Sequence, residues 1–419
     1  MYKLLVPKRK QEEIMSSSTS YSIKRILKNN TMFIALIVVM LLFQILIVAT
    51  DNGSLFAPSN ITNIINQNAY VVILATGMLL CILTGGNIDL SVGSIVAFVG
   101  AIAGTLIVNM HWNIYAAIVV CLLVGMLVGA WHGMWIAFVH IPPFIVTLAG
   151  MLLWRGAALI VLNGITISPM PDNYLSLFSS YLPTVSYDML NADPDKAMAL
   201  TFAVTMIVAV LCCIVFVLAE FLQRGAKRRK GYETTALGLF IARLVLFCAV
   251  ILIVASLLGR DKGIPVILII VAVIVAVYAY YTQNTVPGRY LYALGGNAKA
   301  AQLSGVNTDH VMFFAYTNMG FLSGVAALAC VARFNSAAPT AGTNYEMDAI
   351  GSCFIGGASA YGGTGTVGGA VIGAIFMGVL NNGMSILGID SNWQKAVKGL
   401  VLLLAVLFDV VSKKRKSSK

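Results

Sequence analysis

Apolar runs of about 20 residues recur along this chain, and that is the length an α-helix needs to cross roughly 30 Å of hydrocarbon. The first is TMFIALIVVMLLFQILIVAT at 31–50. It follows a basic stretch, but it exceeds the roughly 7–15-residue apolar core of a cleaved signal and reads as a retained span. Barrel strands would instead show about 10 residues of alternating polarity. Composition agrees, because 59% of the 419 residues are hydrophobic and 10% charged, too little polar surface to cover a water-soluble globule. The expected fold is all-α: a polytopic transmembrane helical protein of about 10–12 spans with discontinuous helices.

The runs place spans at 31–50, 64–84, 91–110, 114–139, 144–163, 197–220, 236–258, 264–285, 309–332, a broken pair across 349–388, and 396–411, twelve passages in all. Breakers mark their ends: Ala57-Pro58, Ile141-Pro142-Pro143 and Val286-Pro287-Gly288.

A net charge of +11 would point to nucleic acid in a soluble protein, but here the placement of the cations decides. Seven Lys and Arg lie in 1–30, five in 220–235, two in 287–308 and five from 412 onward, which accounts for 19 of the 27. The positive-inside rule makes these segments cytoplasmic, and an even number of passages returns the C-terminus to the side of the N-terminus. The organisation is therefore a basic cytoplasmic segment 1–30, a transmembrane domain 31–411 and a basic cytoplasmic tail 412–419. Membrane lipid is an expected partner and nucleic acid is not.

Two glycine-rich stretches interrupt apolar runs: TGGNIDLSVGS at 84–94 and GGASAYGGTGTVGG at 356–369. Non-helical backbone at membrane depth is tolerated only where protein or water satisfies it, so discontinuous helices lining a cavity are expected.

A path for a neutral polyhydroxyl solute needs amides, hydroxyls and aromatic faces with little fixed charge. Asn60, Asn63 and Gln67 fall at i, i+3 and i+7 on one helical face, with Asn66 and Tyr70 as a neighbouring stripe. Asn381 and Asn382 sit inside another apolar run. These amides fit either a polar pathway or hydrogen bonds between helices. Asn87, Asp89 and Ser91 belong to the first glycine-rich stretch. Asp89 reads either as a proton-relay carboxylate or as a cap on the following helix through the amides of Ser91 to Ser94. The four histidines (His111, His132, His140, His310) lack paired-ligand spacing, and no GxxxxGK[ST] run is present, so neither a metal site nor a nucleotide-binding loop is expected. No catalytic residue is assigned.

Five stretches together resemble the permease family of bacterial ABC importers for ribose, xylose, galactose and related sugars, most nearly the permeases of multiple-sugar or xylose-type systems. They are GGNIDLSVGS within 61–94, IPPFIVTLAGMLLWRGAALIVLNG at 141–164, GRYLYALGGNAKAAQLSGV at 288–306, PTAGTNYEMDAIG at 339–351 and VLNNGMSILGI at 379–389. The resemblance implies a permease subunit that translocates a monosaccharide such as xylose, arabinose, galactose or ribose across the cytoplasmic membrane. It implies two copies of the chain, a separate ATP-binding subunit that uses the ATP, and an extracytoplasmic sugar-binding protein.

The resemblance also implies that Gly295, Gly296, Asn297, Ala300, Ala301, Ser304 and Gly305, in the cytoplasmic loop 287–308, form the coupling helix that docks on the ATPase. Ala300, Ala301 and Ser304 would offer it a compact face. The outward loop 333–348, with Arg333, Tyr345, Glu346 and Asp348, is the candidate docking surface for the binding protein. The chain departs from the shorter family pattern at 197–258, where it carries an extra hydrophobic pair around the basic run Arg224–Lys230. Two alternatives stay open: a permease of the same architecture for nucleosides or branched-chain amino acids, and a proton-coupled secondary transporter using Asp89.

Overall fold

The structure, a computed structural model, describes residues 31–183, 193–232 and 237–417. The segment expected at 1–30 lies outside the described residues. Helices α1 (Thr31–Ala49), α2 (Pro58–Leu83), α3 (Val92–Gly104, continued by a π-helical turn Thr105–Asn109), α4 (Ile114–Ala137) and α5 (Pro143–Leu162) come first. A short α6 (Asp172–Ser179) and strand β1 (Tyr181–Leu182) precede the long hairpin α7 (Pro194–Arg229) and α8 (Leu237–Gly259). Then follow β2 (Ile264–Pro265), α9 (Val266–Asn284), α10 (Val286–Gly296), α11 (Ala298–Leu303), α12 (Thr308–Phe334), α13 (Tyr345–Ile355), α14 (Val367–Ile386) and α15 (Ser391–Ser417).

Local chemistry sets these boundaries. Pro58, Pro143 and Pro194 sit in first turns, where a missing N–H breaks no helical bond. Asn113 caps α4, its side chain accepting from the amides of Tyr115 and Ala116 at 2.9 and 3.3 Å.

Among the described residues, ten helices are long and apolar enough to cross a membrane. The burial of their most apolar stretches separates two layers: 72% for α2 and 67% for α3 and α14, against 11% for α7, α8 and α9. Helices α2, α3, α12 and α14 make the inner layer, and the others present apolar side chains outward. Glycines let α4 and α12 cross almost backbone to backbone, since a methyl placed on Gly320 would lie 2.3 Å from the Gly125 carbonyl oxygen.

Two of the last three expected passages, the first of the broken pair and 396–411, take a different form. Helix α13 has only 11 residues, and α15 carries Lys398 and Asp409 within its apolar stretch. The segment read as a loop at 220–235 also differs, because α7 continues as helix through Arg224 to Arg229. Lys227, Arg228 and Arg229 fall in its last turn, where cations complement the helix dipole.

The first glycine-rich interruption begins α3 inside the bundle, whereas the second, 356–369, lies at the Leu83 end of α2 and leads into α14. After Leu83 the chain doubles back, so that the Asp89 amide approaches Met78 Sδ at 3.4 Å and α3 starts beside the last turns of α2, inside the bundle. On the other side, Ala337 pairs with Ile167 next to Gly104, and the backbone then descends along α3 until Gly342 packs on Gly93. At 1.5 Å per residue that descent is about 16 Å. The N-termini of α3 and α13 therefore meet at depth, an arrangement in which broken helices aim their positive ends at an interior site.

Candidate functional site

A cavity of about 310 Å³ opens at the end of the bundle where α2 begins. Its wall on α2 carries Asn63, Asn66, Gln67 and Tyr70, four of the residues singled out for a polar path, spaced by helical geometry onto one face with Ala69. Opposite them stand Phe178, Tyr181 and Arg333. Tyr181 is held there by the two-stranded ladder, in which it faces Pro265, and its hydroxyl accepts from Asn66 Nδ2 at 2.8 Å. Arg333 donates to the Gln67 carbonyl at 3.3 Å. No carboxylate is among the lining residues described, so the cavity offers amides, phenols and one guanidinium.

The cavity rests on a buried charge network. Tyr70 stacks on Tyr345 with ring centroids 3.9 Å apart and donates to Asp348 Oδ2 at 3.0 Å. Lys398, on α15, lies 2.9 Å from Asp348 Oδ1. On the far side of the α13 N-terminus, Arg155 of α5 donates to the carbonyls of Pro339 and Ala341 at 3.2 and 2.5 Å.

This overturns one expectation. Glu346 and Asp348 are 8% and 2% exposed, buried in the first turn of α13 by the protein's own helices, so they are not a docking surface for another protein. Tyr345 likewise faces inward, onto Tyr70, whereas Arg333 is half-exposed where the cavity opens.

The remaining polar candidates lie elsewhere. Asp89 is fully buried, and its Oδ1 accepts from the amide of Ser91 at 2.9 Å and from its hydroxyl at 2.5 Å. That contact fixes the turn entering α3; of the amides from Ser91 to Ser94 expected to meet the carboxylate, only that of Ser91 does. Asn87 donates to Thr84 Oγ1 at 3.1 Å within the same loop. Asn382 is buried and Asn381 half-buried on α14, next to Gly383, which packs against Phe43 of α1. None of Asn87, Asp89, Ser91, Asn381 and Asn382 lines the cavity.

At the opposite end of α2, three pairs of glycines converge. The Gly363 amide donates to the Leu83 carbonyl at 3.1 Å. A methyl on Gly295 would lie 1.9 Å from that same carbonyl oxygen and 2.4 Å from the Gly363 nitrogen, and one on Gly362 would lie 2.5 Å from Gly85 Cα. Tyr292 reinforces the junction by donating to the Gly365 carbonyl at 3.0 Å, and burial pushes its phenol above the usual tyrosine range. The loop after α2, the loop after α13 and the end of α10 thus form one packed unit.

Helix α11 projects from this junction, its start capped by Asn297, which accepts from the Ala300 amide at 3.0 Å. Gly296, Asn297, Ala300, Ser304 and Gly305 are exposed there. The compact face expected from Ala300, Ala301 and Ser304 is corrected in one respect: Ala301 is 5% exposed and packs on its own chain, whereas Leu303 stands 83% exposed at the tip.

With this geometry in place, comparison with known proteins is decisive. Residues 60–406 match the family described as branched-chain amino acid transport system, permease component. The chain belongs to this permease family. The permease is 35% identical over 384 residues to the xylose transport system permease protein of Haemophilus influenzae, covering 92% of this chain and 96% of that one. It is 35% identical to the xylose transport system permease protein of Escherichia coli K12, with 92% of each chain covered. It is 34% identical over 369 residues to the ribose import permease protein of the same strain, covering 88% and 91%. No solved structure matches the permease. It is a multi-pass membrane transport protein.

Proposed function

We propose that this permease is the membrane-spanning subunit of an ATP-driven importer of a monosaccharide, a pentose such as xylose or ribose being the preferred class. The observation that carries the reading is the chemistry of the cavity. Asn63, Asn66, Gln67 and the phenols of Tyr70 and Tyr181 supply donors and acceptors for neutral hydroxyls, and aromatic faces supply contact for a sugar ring. An amino acid would also need an anion for its ammonium group, and the described lining provides none. Similarity to xylose and ribose permeases points the same way.

In this reading the Leu83 end faces the cytoplasm with both chain termini, and α11 meets an ATP-binding subunit. ATP-driven movement of α11 reaches the loops at 84–91 and 356–366 through the Gly295–Leu83–Gly363 contact, and these loops carry the starts or ends of α3, α13 and α14. The interior N-termini then shift against the cavity floor, alternating its access between the two sides. A second copy of the chain and an extracytoplasmic binding protein complete the assembly.

The test is uptake into proteoliposomes containing the permease, its ATP-binding subunit and its binding protein, with labelled pentoses, hexoses, leucine and a nucleoside compared at equal concentration. Saturable uptake of a pentose or hexose supports the reading. Uptake of leucine or the nucleoside alone overturns it.

A further inference from the structure

The hairpin α7–α8 is the part of the permease that its transport role leaves without a task. It packs mainly on itself, with α8 touching α2. Three hollows run along it as one track. The first, of about 300 Å³, and the second, of about 480 Å³, share Val217 and Leu252 in their walls, and both are lined wholly by apolar side chains and cysteine. The second and third share Phe221, and the third, of about 310 Å³, ends on Arg229 and Lys230.

Charge is as asymmetric as shape. Residues 220–243 contain six basic side chains and two acids. Of the acids, Glu220 is engaged by Arg243 at 2.8 Å. Arg224 lies over the Phe240 ring at 4.6 Å, and that ring packs edge-on against Phe221 of the track with centroids 5.3 Å apart, so a further cation sits just behind the lining. At 1.5 Å per residue the 36 residues of α7 span about 54 Å, well beyond the roughly 30 Å of hydrocarbon, which carries this basic end to headgroup level.

An apolar channel that terminates in cations at headgroup height fits one class of occupant. The geometry points to a bound anionic phospholipid, its acyl chain seated in the α7–α8 track and its phosphate held by Arg229 and Lys230. The site is independent of which solute the permease carries. A polybasic topology signal requires the cations but not the track, so the two explanations separate when the track is filled and the cations are kept.

The experiment is native mass spectrometry of the full chain released from nanodiscs of equimolar phosphatidylglycerol and phosphatidylcholine. Wild type is expected to retain phosphatidylglycerol in preference to phosphatidylcholine. The exposed pair R229S/K230S is expected to lower that preference about 30-fold, the loss estimated for two cations at a membrane surface. Ala249→Trp, which projects into the second hollow, is expected to remove the retained lipid with every cation in place. Equal retention of the two lipids by wild type, or unchanged phosphatidylglycerol in either variant, overturns the proposal. So does a second copy of the chain that leaves this track when Ala249→Trp is introduced.

Discussion

The phenol of Tyr70 donates to Asp348 Oδ2 across 3.0 Å, joining the cavity wall to the first turn of a helix that begins inside the bundle. Asp348 is also held by Lys398 at 2.9 Å, a pairing 50 residues apart in sequence. Ionisable groups at membrane depth persist when paired, and each partner is costly once the other is removed. Asp348→Asn should therefore destabilise the fold by about 3 kcal/mol, read as a lowered thermal midpoint in detergent. The double variant Asp348→Asn/Lys398→Met should recover most of that loss.

Gln67 reaches the cavity with its side-chain amide uninvolved in the Arg333 contact, which uses its backbone carbonyl. Gln67→Leu should raise the KM for sugar uptake about 2- to 10-fold, the worth of one hydrogen bond to a neutral ligand, and leave the maximal rate within about twofold. Initial-rate measurements in proteoliposomes check this.

Adjacent glycines at the end of α10 provide a matched pair. A methyl at Gly295 collides with the Leu83 carbonyl and the Gly363 amide, whereas one at Gly296 meets nothing within 4 Å. Gly295→Ala should lower ATP-driven uptake roughly tenfold or more, since overpacking of this kind costs about 1–3 kcal/mol. Gly296→Ala should remain near wild type in the same assay.

Leu303 is a large apolar side chain standing almost free on the exposed end of α11. Leu303→Glu should leave the thermal midpoint nearly unchanged, as surface substitutions within about 0.5 kcal/mol do. It should weaken binding of the ATP-binding subunit tenfold or more, as loss of an interface anchor does, measurable by co-purification at graded concentrations.

The membrane-crossing helices were legible because hydropathy acts over the length of a span and Pro58 and Pro143 announce helix starts. The α2 wall was legible too, since Asn63, Asn66, Gln67 and Tyr70 share a face by local periodicity alone. What escaped was depth. Glu346 and Asp348 read as loop residues because polar side chains beside glycines usually lie outside the membrane, and nothing local states that the backbone from Ala337 to Gly342 has already descended along α3. The available signal was Lys398, a lone cation in an apolar run that requires a buried partner. Tyr181 joined the cavity through a two-residue ladder too short to have a periodicity. Ala301 and Leu303 exchanged expected roles because the side of α11 that packs on its own chain is set by tertiary contact.

The central claim is that this permease moves sugar only as part of an ATP-driven assembly. The direct measurement is labelled xylose accumulation in proteoliposomes, comparing the complete assembly plus ATP with the permease alone under an imposed pH gradient. The account predicts ATP-dependent accumulation by the complete assembly and none by the permease alone. Accumulation by the permease alone, driven by the gradient and abolished by Asp89→Asn, would contradict it.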